Sequence, residues 1–171
     1  KTEANISIYR HDRSDGLVEI RAQMLAPTRY STFLNLLEDS DNVPNWVDNV
    51  SRTRVLKQIS ASENIVHTHF NATWPVKDRD MVTYSRYFLA DGAFILQISD
   101  AEHELPKQSK TIRITQVTAQ WTLKKLTNNT THIEYTAFAN PGGKLPTWLV
   151  NQLAIDSALN TFKGLKRELK R

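Results

Sequence analysis

Residues 140–171 read NPGGKLPTWLVNQLAIDSALNTFKGLKRELKR, and this stretch predicts how the rest of the chain is arranged. The Pro-Gly-Gly segment at 141–143 ends the preceding strand, because proline lacks a ladder donor and glycine admits backbone angles that other residues avoid. Pro146 suits the first turn of a helix, where its missing N–H is no loss. Beyond it there is no proline, and Gly164 is the lone glycine. We therefore predict a helix of about six turns.

This predicted helix is apolar around more than half of its circumference over its first four turns, whereas its last turns are basic, which suits the negative end of the helix dipole. A helix so apolar at one end must be covered on two sides, or must itself cover something apolar that is not protein. Two interpretations stay open: a terminal helix packed flat on a sheet, or a lid over a cavity. The apolar residues are Trp148, Leu149, Val150, Leu153, Ala154, Ile155, Ala158, Leu159 and Phe162.

Upstream of the helix, the chain predicts mostly strands. Residues 17–25 alternate apolar and polar side chains, which is typical of a half-buried strand, and residues 27–37 carry apolar side chains at helical spacing. Residues 51–139 form a succession of β-like runs with polar turns and no helical pattern between them. We therefore predict one α+β domain over residues 1–171, with an antiparallel sheet closed by a single long helix.

The β-like run at 110–126 places a charge among apolar residues. Side chains alternate between the two faces of a strand, so every second residue shares a face. This alternation puts Arg113 on the same face as Val117, Trp121 and Leu123, toward the concavity that the final helix must cover. A buried, unpaired arginine is destabilising by several kcal/mol, so it needs a carboxylate, water or a polar ligand. The alternative is that Arg113 lies at the strand end and reaches back to solvent.

Composition excludes several functional classes. Charged residues make up 23% and hydrophobic ones 40%, as in ordinary soluble proteins, and the net charge of +4 is too diffuse for a nucleic-acid interface. The basic helix end would favour transient contact with an anionic membrane surface. No cysteine is present, which excludes disulfides and cysteine chemistry. The chain starts at Lys1, so we expect an upstream segment to have been removed, by a signal peptidase after export or by truncation.

The reactive side chains in the sequence predict neither an enzyme nor a metal or cofactor site. His67 and His69 share one strand face, but no third ligand stands at useful spacing. The triplet Asp78-Arg79-Asp80 contains acid and base side chains, yet it reads as a turn held by ion pairs. The chain contains no Gly-rich phosphate loop, GxSxG or HExxH motif. We predict no catalytic residue.

Four short motifs, in order along nearly the whole chain, resemble the START domain (steroidogenic-acute-regulatory-protein-related lipid transfer) family. They are Trp46-Val47-Asp48, the turn Trp74-Pro75-Val76-Lys77-Asp78-Arg79-Asp80, Arg113 eight residues before Trp121, and the loop and helix start at 140–151. We expect the family's leading N-terminal helix to be absent or truncated here. The resemblance implies a helix-grip fold, in which a curved antiparallel sheet wraps a long C-terminal helix around an internal hydrophobic cavity.

The resemblance also implies a monomer that binds one lipid or sterol-like ligand, with Arg113 as the polar anchor of that ligand. It places Gln97 and Thr68 toward the head group of the ligand. A register shift of one residue would turn these two side chains to the other face of the sheet. A movable lid would hinge at Pro141, Gly142 and Gly143. Two other functions stay open: a ligand-sensing module that recruits a partner, and a cyclase or aromatase on the same fold. The full set of expected ligand contacts is Arg113, Val117, Trp121, Leu123, Leu149, Leu153, Gln97 and Thr68.

Overall fold

The computed structural model describes residues 2, 3, 5–72 and 77–169, and the bounds below refer to these. Two helices are present in this part of the chain, α1 (Tyr30–Glu38) and α2 (Thr147–Leu169), with short 3-10 segments at Ser40–Asn45 and Glu102–Glu104. The strands are β1 (Thr2–Glu3), β2 (Ile6–Asp12), β3 (Val18–Ala26), β4 (Val50–Ser60), β5 (Glu63–Phe70), β6 (Arg79–Ala90), β7 (Ala93–Asp100), β8 (Ile112–Arg113), β9 (Thr115–Thr127) and β10 (Thr130–Asn140).

These strands form one open sheet in the order β1-β2-β3-β10-β9-β7-β6-β5-β4, with β8 paired to β6 outside this order. Every pairing along the order is antiparallel, whereas β8 runs parallel to β6. Most neighbours are sequential hairpins, and the pairing of β3 with β10 joins the two ends of the chain. The predicted α+β class, with an antiparallel sheet and a C-terminal helix, is confirmed.

The register divides the sheet into two faces. We call the side that packs on α2 the helix face and the opposite side the outer face. Trp121 pairs with Leu96 on β7 and with Tyr135 on β10, so all three side chains lie on the helix face. Successive residues of a strand alternate between faces, and this register therefore assigns the neighbouring positions as well.

The second half of α2 packs tightly against the helix face. The Phe162 ring stacks on Trp121 with centroids 5.7 Å apart, and Phe162 and Leu165 are fully buried. Beside them Gly164 brings α2 so close to the backbone of Trp46 that an added Cβ would lie 2.4 Å from the Trp46 carbonyl oxygen. Within the described residues, no helix is both long and apolar enough to cross a membrane.

The predicted continuous strand at 110–126 is wrong. The structure divides it into β8 and β9, and Gln116 near the start of β9 adopts a left-handed backbone conformation with φ of 57°. Arg113 pairs with Asp80 on β6, which register places on the outer face. The side-chain alternation is therefore interrupted between Arg113 and Val117, so Arg113 does not share the face of Trp121.

Candidate functional site

The first half of α2 is packed more loosely than the second. Leu149 and Val150 are only partly buried, Leu153 is 49% exposed and Trp148 is 71% exposed. On the helix face, Leu96 and Ile98 are likewise only half-buried. The chief strand contacts of α2 are with β3 and β2, at the other side of the sheet from β4. Apolar surface thus remains uncovered between the start of α2 and the helix face of β4–β7.

Tyr135 is a polar side chain on the helix face of the sheet. Its ring lies 4.3 Å from Trp121 and 6.4 Å from Phe162, centroid to centroid, inside the aromatic cluster. Burial raises the pKa of Tyr135 to about 12, because the phenolate would lose its hydration there. The side chain nevertheless keeps some accessible surface, and no described residue hydrogen-bonds its hydroxyl. Tyr135 therefore places a hydroxyl without a described partner among the aromatic rings beneath α2.

The loop before α2 is attached to the sheet by Arg79. The Arg79 Nε atom donates a 2.8 Å hydrogen bond to the carbonyl oxygen of Pro141, and Nη2 donates one of 3.1 Å to that of Gly142. Gly142 and Gly143 have φ of 68° and 79°, which other residues adopt at a cost. A Cβ on Gly143 would lie 2.9 Å from Arg79 Nη2. The predicted hinge segment is thus a close-packed loop held by two hydrogen bonds.

On the outer face, Arg113 belongs to a buried ion-pair network. Its Nε and Nη2 atoms donate to the two oxygens of Asp80 at 3.1 and 3.0 Å, and His67 Nε2 lies 2.9 Å from Asp80 Oδ2. The remaining Arg113 donors bind the carbonyl oxygens of Glu102, Leu105 and Pro106. All five N–H groups of the guanidinium are therefore bound to protein acceptors.

This network lowers the pKa of Asp80. Burial of the carboxyl opposes ionisation, but the hydrogen bonds from Arg113 and His67, with the positive charge of Arg113, outweigh burial and hold the pKa of Asp80 below its usual value. His69, on the same face, lies 3.3 Å from Asp78. The two histidines thus contact separate carboxylates, and the described residues contain no group of three side chains suited to hold a metal ion.

Two surface hollows lie elsewhere. One, of about 340 Å³, lies between the 3-10 segment before β4 and the second half of α2, and includes Asp48 and Asn160. The other, of about 430 Å³, lies between Ile65 and Tyr84 on the outer face and the loop at 101–104. Neither contains the residues that the sequence predicted to contact a ligand.

Comparison with known proteins decides the family. A sequence model described as the START domain matches residues 7–171. The chain belongs to the START domain family. An uncharacterised protein of Pseudomonas aeruginosa is 28% identical to it over 97% of this chain and 83% of that protein. The human phosphatidylcholine transfer protein is 27% identical over 96% of this chain and 79% of that protein. The recognition made from four motifs is confirmed.

A solved structure agrees with this START domain over its whole length. The STAR-related lipid transfer protein from Xanthomonas axonopodis superposes with a TM-score of 0.91 at 26% identity, covering 100% of this chain and 97% of that chain. The predicted helix-grip fold is confirmed by this match.

The apolar residues predicted to line the ligand site of this START domain fall into two groups. Val117, Trp121 and Leu123 are buried on the helix face, where Trp121 packs in the aromatic cluster. Leu149 and Leu153 lie on the loosely packed half of α2 and keep accessible surface. Direct contact with a ligand stays a prediction for all five.

The predicted polar contacts are divided between the two faces. Thr68 lies on the helix face of β5, because it pairs with Met81, and Met81 shares a face of β6 with Tyr87, the partner of Leu96. Gln97 lies on the outer face, where its side chain donates to Gln120 at 3.3 Å. Gln97 and Arg113 therefore lie across the sheet from Trp121, and a ligand role for either stays a prediction.

Part of the family motif lies outside the described residues, namely Trp74, Pro75 and Val76. Its remainder is ordered by side chains: Asp78 Oδ1 accepts a 2.9 Å hydrogen bond from the backbone N–H of Ala72. The sequence analysis did not single out Tyr135 as a helix-face group. The alternation of the strand was a usable signal, since Tyr135 follows the apolar Ile133 by two residues.

Proposed function

We propose that this START domain binds one lipid or sterol-like molecule between the helix face of its sheet and the first half of α2, and carries it between membranes without altering it chemically. Family membership supports the proposal, as do the relatives whose names state phosphatidylcholine transfer and lipid transfer. Half-exposed apolar side chains in the interior of a grip are the surface that an aliphatic ligand would cover.

The contrast between the two halves of α2 carries the proposal. A helix that only closed a core would bury its apolar residues along its entire length, as Leu159, Phe162 and Leu165 do. Trp148 and Leu153 instead leave large apolar areas exposed. Burial of apolar surface contributes roughly 25 cal/mol per Å², so covering these side chains with lipid chains would be clearly favourable.

Exchange of an enclosed lipid requires movement. We propose that the loosely packed first half of α2 moves about Pro141, Gly142 and Gly143, because the loop that these residues form links the strand of Tyr135 directly to it. The two Arg79 hydrogen bonds would hold the closed position. Lids of this kind move on a timescale of microseconds to milliseconds.

Native mass spectrometry and a vesicle assay test this function. Protein purified from cells should carry one lipid per chain that organic extraction releases with unchanged mass. The protein should also transfer fluorescent lipid from donor to acceptor vesicles faster than the protein-free rate. Leu153→Asp should reduce both lipid loading and transfer, whereas Leu126→Asp, at an exposed leucine of β9, should reduce neither.

Two outcomes would contradict the proposal. If the protein carried no lipid and did not accelerate transfer, binding and transport would both be refuted. If the extracted molecule were converted during incubation to a product of different mass, the protein would be an enzyme rather than a carrier.

A further inference from the structure

The strand β4 forms one edge of the sheet. It is 11 residues long, most of its side chains are exposed, and within the described part of the chain it pairs with β5 alone. Along an edge strand, every second residue directs its backbone N–H and C=O groups away from the sheet. These groups can accept a further strand, so the free side of β4 is a potential binding edge.

The register limits which part of this edge is regular. The pairing of β4 with β5 shifts before Arg52 and again after Val55. Such irregularities bend a strand and interrupt its ladder, which makes the bulged parts poor partners for another strand. The residues from Arg52 to Val55 pair one by one with residues 69 to 66 of β5. The regular edge is therefore the stretch 52–55.

Two arginines give this stretch its charge. Arg52 pairs with His69 and Arg54 with His67, so both arginines lie on the outer face, about 7 Å apart along the strand. Both are exposed, and neither forms a hydrogen bond or an ion pair with another residue that the structure describes. The sequence of β4 contains no acidic residue.

The carboxylates beside the arginines already bind other groups. Asp78 lies 3.3 Å from His69, and Asp80 lies 2.9 Å from His67 within the buried ion-pair network. Glu63 lies opposite the far end of β4. The positive charge of the two arginines is therefore not balanced by an ion pair, and it lies on the regular stretch of the edge.

We propose that residues 52–55 of β4 bind an extended acidic segment of another protein, which adds to the sheet as a further strand. Backbone hydrogen bonds would hold the segment, and two carboxylates two positions apart in it would face Arg52 and Arg54. A second copy of this chain fits poorly, because two paired β4 edges would bring like charges together. The edge lies on the far side of the sheet from the strands that contact α2, so this inference goes beyond lipid binding and does not depend on it.

Labelled peptides test the charge and the spacing. The probe is fluorescein-Thr-Glu-Val-Glu-Val-Thr-amide, whose two glutamates share one face when the peptide is extended, and binding is followed by fluorescence anisotropy. We expect the peptide with lysine in place of glutamate to bind at least about tenfold more weakly. The isomer Thr-Glu-Glu-Val-Val-Thr has the same charge but places its carboxylates on opposite faces, so it should bind about threefold or more weakly.

Substitutions test the residues. Arg52→Gln with Arg54→Gln should weaken binding of the alternating peptide at least about tenfold, with the unfolding midpoint in urea unchanged. Lys124→Gln with Lys125→Gln is the matched control, because it removes the same charge from exposed positions of β9, a strand paired on both sides. This control should leave the affinity within about twofold of the wild type.

Hydrogen exchange tests the mode of binding. If the peptide adds as a strand, backbone amides of β4 within residues 52–55 should exchange more slowly in its presence, whereas attraction between charges alone would leave their exchange unchanged. Equal affinity for the two acidic isomers, wild-type affinity in the arginine variant, or unchanged exchange in β4 would each overturn the proposal.

Two other results would assign the edge to a different occupant and overturn the proposal as well. One is self-association in sedimentation experiments that the arginine variant loses, which would indicate a second copy of the chain. The other is binding to phosphatidylglycerol vesicles that requires both arginines while the peptides do not bind, which would indicate a membrane surface. None of these results bears on whether the protein carries a lipid beneath α2.

Discussion

The guanidinium of Arg113 bridges the carboxylate of Asp80, with Nε 3.1 Å from Oδ1 and Nη2 3.0 Å from Oδ2, and both side chains are almost completely buried. The pair joins β8 to β6 in a parallel contact. Through the carbonyl oxygens of Glu102 and Leu105 it also holds the loop that follows β7 against the outer face. The pair is therefore placed to stabilise the fold.

Removing one partner of this ion pair should be strongly destabilising. Arg113→Met leaves the Asp80 carboxylate buried and unpaired, so we expect a loss of about 3–5 kcal/mol in the free energy of unfolding, measured on empty protein in guanidinium chloride. Arg10→Met breaks the exposed pair with Asp12 and should change stability by less than about 1 kcal/mol. A small loss of stability in Arg113→Met with tenfold weaker lipid binding would instead support the ligand-anchor role.

Stability should fall in acid because of Asp80. Its pKa in the folded protein is below the unfolded value of about 3.9, so the contribution of the ionised pair is fully present above that value and is lost as pH falls through the folded pKa. We expect the free energy of unfolding of the wild type to decrease from about pH 5 downward. Asp80→Asn should be less stable at neutral pH and should depend less on pH in this range, as followed by urea titrations at several pH values.

Tyr135 should remain protonated in strongly alkaline solution. Its folded pKa of about 12 exceeds the unfolded value of about 10, so the stability it contributes is present below pH 10 and is lost as pH rises toward 12. The difference in phenolate absorbance between wild type and Tyr135→Phe should therefore appear only near pH 12. A difference that appeared near pH 10 in folded protein would show that the hydroxyl is well solvated.

Alanine in the loop before α2 should slow lipid exchange. Gly142→Ala with Gly143→Ala narrows the backbone angles available for movement, so we expect the dissociation rate of a fluorescent lipid to fall more than its equilibrium affinity changes. Gly92→Ala is the matched control, because Gly92 also has a positive φ of 76° but lies in the β6–β7 turn with open space around it. Equal changes in rate and affinity, or unchanged exchange, would count against a hinge.

Gly164→Ala should destabilise the protein, although alanine is the better helix former by about 1 kcal/mol. The new methyl group would lie 2.4 Å from the Trp46 carbonyl oxygen and 3.0 Å from its carbonyl carbon. Because both atoms belong to the backbone, α2 must shift away and loosen the contact between Phe162 and Trp121. We expect a net loss of about 1–3 kcal/mol in urea unfolding. A gain in stability would show that α2 can shift freely at this point.

Local patterns in the sequence were sufficient for most of the architecture. The Pro-Gly-Gly stop before α2, the alternation in β3 and the Asp-Gly turn between β6 and β7 each encode an element through neighbouring residues. The excess of apolar residues at the start of α2 also indicated, from sequence alone, that this half of the helix needs a second apolar surface.

The polar site groups depended on contacts between distant residues. Ile114 separates β8 from β9, and Gln116 near the start of β9 is left-handed. The orientation of Arg113 then follows from its pairing with Asp80, 33 positions earlier in the chain. Side chains alternate regularly between the two faces only within an unbroken strand, so the alternation could not assign the face of Arg113.

Sequence by itself thus determined the order of the elements, the family and the uncovered apolar surface of α2, because these depend on local spacing and composition. The tertiary structure alone decided that Arg113 is bound to Asp80 on the outer face and that Gly164 must be glycine. Whether a buried polar group is paired depends on which strands meet, and whether a helix can carry a side chain depends on how closely another backbone approaches it.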